Sequence, residues 1–340
     1  MVNLKSGFIL QFHLTEKCNL RCKHCYQEDK YIKGELDIEG KKRIIDMFGK
    51  AIDVWGVHGI INFTGGEPTL KKEELIQLIK YTKKKYLDIT IGILSNGTLI
   101  DKKLASSLKK AGVNDIQVSL DGATEKCHDF IRGEGNFKKA IAGIKNVVSV
   151  GLLGEIMFTL HGLNAEEVPG IINLASQLGA KRLGIERLVP IGRGKEEIPN
   201  SVLDPKRLHD IYLDIGKKKQ ELKNKLVIAT NRPLWCLIGK ELHSNEFKGS
   251  CAAGFSTLTV MPNGDVMPCR RMNMVIGNLK EKNLFDVWYS SDILWKLRER
   301  KQNFIGCGKC ENLNLCGGCR AVAYGMTGNY LAKDPQCWKK

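Results

Sequence analysis

Short runs of apolar or alternating residues recur along the first two thirds of the chain, at 8–14, 59–64, 89–94, 115–120, 155–160 and 182–189. Between them lie longer segments in which apolar residues return every three or four positions: 38–54, 72–84, 102–111, 137–150 and 166–178. The first set has the length and period of strands, the second those of amphipathic helices. A strand followed by a helix, repeated, predicts a parallel sheet with right-handed crossovers. Such a sheet curls into a full or partial barrel whose ligands gather at the strand C-termini. Beyond Val189 the pattern changes. A loop is predicted at 190–194, a charged helix at 205–223, and short glycine-rich segments dense in cysteine from Cys251 onward. Met261-Pro262-Asn263-Gly264-Asp265-Val266 predicts a hairpin, because Asn-Gly tolerates the positive φ of a tight turn. A domain boundary is expected near residue 235, with an α/β domain over 8–234 and a cysteine-rich domain over 235–340.

Composition narrows the class. No apolar run approaches the roughly 20 residues of a membrane span, and no signal peptide is visible at the N-terminus, so a cytoplasmic protein is expected. Twelve cysteines in such a chain point to metal ligation rather than disulfides. Lys and Arg outnumber Asp and Glu by 53 to 37, a formal charge of +16. That excess suits a solvated lysine-rich surface, and equally an acidic peptide or a polycarboxylate as substrate. No recognition motif with aromatic interleaving accompanies it, so nucleic acid is not an expected partner.

The loop after the first strand reads Cys18-Asn-Leu-Arg-Cys22-Lys-His-Cys25-Tyr26. Three thiolates at this spacing can each reach one iron corner of a cubane and leave the fourth iron without a protein ligand. The competing reading is a zinc site completed by His24, but zinc sites pair two such knuckles and no second one lies nearby. C-x3-C-x2-C followed by an aromatic residue resembles the radical S-adenosylmethionine (SAM) superfamily. The resemblance implies a 4Fe–4S cluster on Cys18, Cys22 and Cys25 that chelates SAM and cleaves it reductively to a 5′-deoxyadenosyl radical. It also implies a partial (β/α)6 TIM-like barrel.

Further segments fall in that family's order. Gly65-Gly66-Glu67-Pro68 closes the second strand, and the resemblance assigns it to the methionyl ammonium of SAM. Ser95-Asn96-Gly97-Thr98 closes the third strand and Ser119-Leu120-Asp121-Gly122 the fourth. Asn96, Ser119 and Asp121 are thereby expected at the ribose and the methionyl carboxylate. Arg132 either neutralises that carboxylate or forms a surface ion pair. Tyr26 is expected beside the adenine, as is Val189 at the end of the sixth strand.

Seven cysteines follow in the C-terminal third: Cys251, Cys269, Cys307, Cys310, Cys316, Cys319 and Cys337. Gly264-Asp-Val-Met-Pro-Cys269 and Cys316-Gly-Gly-Cys319-Arg320 resemble the SPASM extension, which holds two auxiliary 4Fe–4S clusters. By position the inner cluster takes Cys251, Cys269 and Cys319, and the outer one Cys307, Cys310, Cys316 and Cys337. The x2 gap between Cys316 and Cys319, where many members have x3, leaves this exchange of ligands open. The inner set has only three cysteines; its fourth iron is open to substrate or is bound by Cys236. Structural zinc in 307–319 alone is the alternative.

The substrate is less legible. A cluster motif that begins at residue 18 leaves little space for a preceding leader-binding domain, so a separate protein would have to bind a leader. Arg270 stands where sulfatase-type maturases place an aspartate base, which argues against formylglycine formation. Arg270 and Arg271 would suit substrate carboxylates, on an acidic peptide or a porphyrin propionate. The reading favoured is modification of a ribosomal peptide or protein, with a tetrapyrrole of the haem pathway or another cofactor as the alternative. A non-catalytic electron carrier is a distant third, since it needs no SAM pocket. An electron donor such as flavodoxin or ferredoxin is an expected partner.

Overall fold

All six period-two runs become strands and all the long amphipathic runs become helices. The computed structural model describes residues 7–28, 34–222, 225–230, 232–239 and 250–339. The alternating half runs β1 (Phe8–His13), α1 (Ile38–Trp55), β2 (Gly59–Thr64), α2 (Lys72–Lys85), β3 (Thr90–Ser95), α3 (Lys102–Ala111) and β4 (Asp115–Ser119). It continues with α4 (Glu125–Arg132), α5 (Asn136–Ser149), β5 (Leu153–Leu160), α6 (Val168–Gln177) and β6 (Arg182–Arg187). After α7 (Arg193–Glu196) and α8 (Pro205–Glu221) comes the short β7 (Val227–Ala229). The predicted end of the α8 segment, Lys223, lies outside the described residues. The cysteine-rich part contributes β8 (Thr257–Val260), β9 (Asp265–Met267), β10 (Gly277–Asn278), α9 (Leu284–Ser290), α10 (Asp292–Arg298), α11 (Arg300–Asn303) and α12 (Arg320–Thr327).

Strands β1 to β7 are parallel and lie in sequence order. Helices start where aspartates cap them: Asp37 and Asp101 accept from Gly40 N and Leu104 N at 2.7 and 2.6 Å, each cap contributing about 1 kcal/mol. The strand faces toward the helices carry the core, with Phe8, Leu10, Phe12, Ile61, Phe63, Ile91, Ile93, Ile116 and Val118 all buried. The opposite face supplies lumen residues such as Gln11 and Gln117.

Two features go beyond the sequence pattern. Helix α4 was absent from the predicted set because it has only 8 residues and a mostly polar composition. It is nucleated by the Thr124 hydroxyl, which accepts from Cys127 N at 3.3 Å. Second, the cysteine-rich part joins the barrel sheet directly: β8 pairs in parallel with the free edge of β1, Ile9 opposite Thr257. Strands β9 and β10 then add antiparallel. The predicted hairpin is the β8–β9 turn, with Gly264 at φ 92°. The expected boundary near residue 235 thus lies between β7 and β8 of one continuous ten-stranded sheet. No helix among the described residues is long and apolar enough to cross a membrane.

Candidate active site

The cysteine loop sits at the C-terminal end of β1 and is clamped by backbone. Gly66 N donates to Thr15 O at 2.8 Å and Glu67 N to Lys17 O at 2.9 Å. A Cβ on Gly65 would stand 2.3 Å from Thr15 O, and one on Gly66 2.3 Å from Lys17 O. The two glycines are therefore required by the close approach of the β2 turn to the loop. Further on, Lys23 N donates to Ile131 O at 2.9 Å and Gly194 N to Cys25 O at 3.1 Å. Arg193 Nε donates to Cys22 O at 3.1 Å.

So held, Cys18, Cys22 and Cys25 line one cavity of about 1000 Å³ together with Tyr26, Gly65, Gly66, Asn96, Ser119, Arg132 and Val189. Burial pushes the Cys22 thiol up to about 12, against the pull of Arg132. An isolated thiolate is disfavoured there, and a bound iron would supply the missing positive charge. Leu20 N, 3.4 Å from Cys18 Sγ, and Arg132 Nη1, 3.8 Å from Cys22 Sγ, are placed to donate to such thiolates. The side chains of His24 and Gln27 leave Nδ1 and Nε2 buried in the same wall without a protein partner. A donor set of three thiols, with unpaired polar atoms and glycine-thinned backbone around it, fits a cluster and a polar cofactor.

Two residues expected against SAM have other work here. Glu67 is fully buried. Its Oε1 accepts from Thr69 N, Thr69 Oγ1 and Ser95 Oγ at 3.1, 2.6 and 2.8 Å, and its Oε2 from Asn96 N at 2.8 Å. It locks the β2 and β3 turns to each other. Asp121 is likewise fully buried. It accepts from His24 Nε2 and Arg132 Nε at 2.6 Å each and from Thr159 N at 2.7 Å. Burial raises its carboxyl, but Arg132 and His24 outweigh this and hold it well below the usual carboxylate range. Asp121 thus positions His24 and Arg132, which do line the cavity. The ion pair of Arg132 is buried, not at the surface, and its side chain also lines the cavity.

Beyond the first cavity lies a second of about 1030 Å³, lined by Cys251, Cys269 and Cys319, and the two share Glu186, Arg187, Arg270 and Arg271. Arg271 Nη2 lies 3.2 Å from Glu186 Oε2, and Arg232 Nε bonds the other oxygen of the same carboxylate. Burial raises the Glu186 carboxyl, yet the two guanidiniums hold it far below its ordinary value. Arg187 makes a two-pronged pair with Asp334 at 2.8 and 3.1 Å. Arg270 differs: its Nη1 donates to the neutral Gln11 Oε1 at 3.1 Å. Of the two arginines singled out by sequence, Arg271 is thus already neutralised internally and Arg270 is the one offered to an anion. Thr259 Oγ1, buried in the second cavity, has no protein partner.

Cys307, Cys310, Cys316 and Cys337 line a third, smaller cavity of about 290 Å³. Gly317 and Gly318 both adopt positive φ, 62° and 64°. These consecutive left-handed residues turn the chain so that Cys316 faces the third cavity and Cys319 the second, despite the short x2 gap. Cys236 lies against Cys316 and hydrogen-bonds to it, which lowers the Cys316 thiol and raises that of Cys236. It does not line the second cavity, so the suggestion that it completes the inner set is not met. Glu186, Arg187, Arg193 and Asp334 were not singled out as site residues by sequence, and His24 only as a ligand in the competing zinc reading. The adjacent charges Glu186-Arg187, at the C-terminal end of β6 after Leu183-Gly184-Ile185, were the available signal.

A radical SAM superfamily model matches residues 12–175, and an iron–sulfur cluster-binding domain model, SPASM, matches residues 251–320. The AdoMet-dependent heme synthase of Methanosarcina barkeri is 31% identical, over 97% of this chain and 95% of that protein. The chain belongs to the radical SAM superfamily. Mycofactocin maturase MftC of Mycobacterium tuberculosis is also similar to this radical SAM protein, at 30% identity over 98% of this chain and 83% of that one. The structure of Streptococcus suis SuiB bound to S-adenosylmethionine shares the fold, with a TM-score of 0.78 at 20% identity, covering 98% of this chain and 77% of that chain. The protein is a radical SAM enzyme with a SPASM domain, and its cofactors are SAM and 4Fe–4S clusters.

Proposed function

We propose that this enzyme oxidatively modifies a carboxylate-bearing ribosomal peptide or protein in the cytoplasm. Cys18, Cys22 and Cys25 hold the SAM-binding cluster, and Gly65, Gly66, Asn96, Ser119, Arg132, Tyr26 and Val189 line the SAM pocket. Cys251, Cys269 and Cys319 hold the inner auxiliary cluster; Cys307, Cys310, Cys316 and Cys337 hold the outer one. When bound, these cofactors supply a 5′-deoxyadenosyl radical that removes a hydrogen atom from substrate. The observation that carries the reading is the shared wall between the first two cavities. A substrate lying there meets the SAM pocket on one side and the inner cysteines on the other, with Arg270 free to take its carboxylate. Similarity to a maturase over 98% of the chain supports a peptide substrate. A flavodoxin- or ferredoxin-type donor serves the clusters, and a separate protein presents any leader.

A second reading, a tetrapyrrole side chain, is supported by the heme synthase relative whose length this chain nearly matches. Porphyrin propionates would meet the same arginine. Anaerobic, reconstituted enzyme with SAM and dithionite decides between them. Stimulation of 5′-deoxyadenosine release by the product of a small neighbouring reading frame supports the peptide. Stimulation by iron coproporphyrin III alone transfers the assignment to the tetrapyrrole.

A further inference from the structure

We propose that the surface over the Cys307–Cys310 turn is where an acidic one-electron carrier protein docks. It rests on the reading that a protein electron donor serves this enzyme, and it holds for either substrate.

The three cysteine-lined cavities stand in a row. The outer one meets the middle one across Cys316–Cys319 and Asp334, and Asp334 binds Cys319 N at 2.8 Å and Arg187 on the shared wall. The outer set reaches the protein surface: Cys307, Cys310 and Cys337 are only partly buried, and the chain beside them is exposed at Ile305, Gly306, Lys309 and Glu311. Around it the charge is lopsided. Residues 295–340 contain nine Lys or Arg against three Asp or Glu, and one of those three, Asp334, is buried on Arg187. Lys301, Lys309 and Lys333 are exposed. Lys301 O lies 2.6 Å from the Cβ position of Gly308, and the Lys333 stem 3.3 Å from that of Gly306, so both lysines flank the turn. Next to Gly306, Ile305 is 60% exposed, and Leu315, just before Cys316, is 46% exposed. An apolar centre with a charged rim is the anatomy of a transient protein interface, and the rim sign selects an acidic partner.

The lysine-rich surface of α8 lacks this character. On α8, Lys206, Lys217 and Lys218 are each matched by an acidic side chain of the same helix. Lys301 and Lys309 have no ion pair among the described residues. In the transfer step the carrier loses one electron and the outer 4Fe–4S group gains it. No bond is broken and no proton need move.

The test uses the reconstituted holoenzyme with an acidic flavodoxin as probe. Binding is expected to weaken as salt rises, and carbodiimide coupling is expected to join flavodoxin carboxylates to Lys301, Lys309 or Lys333. The triple variant Lys301→Glu, Lys309→Glu, Lys333→Glu should lose at least tenfold in flavodoxin affinity and in flavodoxin-driven 5′-deoxyadenosine formation. Its iron content and dithionite-driven rate should stay at the parent level. Ile305→Asp, a single exposed change, should lower affinity in the same direction should the triple variant lose iron. Wild-type affinity in both variants, or no salt-dependent binding by the parent enzyme, overturns the proposal. So does a loss produced instead by Lys17→Glu beside the first cysteine loop. A parent enzyme inactive with dithionite indicts the radical chemistry, not the docking site, which the binding measurement reads independently.

Discussion

Replacing Glu67 by Gln separates a lock from a ligand contact. The substitution keeps size and shape but turns one of two accepting oxygens into a donor. With the amide oxygen at the Oε1 position, the NH2 faces Asn96 N, now a donor against a donor at 2.8 Å. In the opposite flip it faces Thr69 N, and the hydroxyls of Thr69 and Ser95 can rotate to accommodate it. Either way one buried backbone N–H loses a charged acceptor, worth about 1.5–3 kcal/mol, with a desolvation penalty of about 1–3 kcal/mol for the orphaned group. Relief of the buried charge offsets part of this, since burial raises the Glu67 carboxyl above its ordinary value. A net loss of about 2 kcal/mol in unfolding free energy is expected. The released Asn96 also disturbs its hydrogen bond to Asn19 Oδ1 at 2.9 Å, inside the cysteine loop. A shift of about 1 Å there should cost on the order of a hundredfold in 5′-deoxyadenosine formation. Urea unfolding, SAM affinity and product release are measured together. Wild-type stability with SAM binding abolished would refute the lock and return Glu67 to the cofactor.

Three further outcomes follow from the same geometry. Gly66→Ala must move its new methyl from 2.3 Å to an ordinary contact with Lys17 O, so cluster-dependent activity should fall at least tenfold, whereas Gly162→Ala, 3.4 Å from its nearest neighbour, should leave it unchanged. His13, His128 and His161 are buried, and burial is the first cause that lowers them to about 3, 4 and 4. Each therefore adds stability that is present above about pH 6.5 and lost as pH falls toward 4, at roughly 1.4 kcal/mol per pH unit per histidine; His13→Gln should flatten the fall of the urea midpoint between pH 6 and 5, and an unaltered slope contradicts this. Arg270→Gln removes one charge-assisted anchor worth about 1.5–3 kcal/mol, so KM for an anionic substrate should rise roughly ten- to a hundredfold while substrate-independent SAM cleavage is retained; an unchanged KM removes Arg270 from the substrate site.

The barrel half was legible because each strand and helix writes its own period. β2 and α3 match their predicted limits, and the other strand and helix ends differ by one or two residues. Long-range pairing has no such local signature. Thr257–Val260 reads as a short apolar strand, yet nothing in those four residues says that its partner is Ile9–Phe12, some 250 positions earlier. The site shows the same division. Motifs identified the loops that line the cavity, but they did not distinguish side chains that face it from those that hold the loops. Glu67 and Asp121 belong to the second kind. Both are fully buried acids whose oxygens are consumed by protein donors, a fact set by neighbours from β3, α4 and β5.

Charge balance along the shared wall explains why one arginine of a sequential pair stays available. Glu186 accepts from Arg232 and Arg271, and Asp334 accepts from Arg187, so each carboxylate is consumed where it stands. Arg270 points instead to β1, where Gln11 offers only a neutral oxygen. A fully charged guanidinium beside a neutral acceptor is undercompensated, and the wall carries more positive than negative charge before any ligand arrives. An anion entering there gains the Coulomb term without displacing an internal salt bridge. A neutral or cationic substrate gains nothing and must still be desolvated. The wall thus selects an anionic group at the boundary between the SAM cavity and the inner cysteine cavity, and carboxylate chemistry is common to both substrate classes considered.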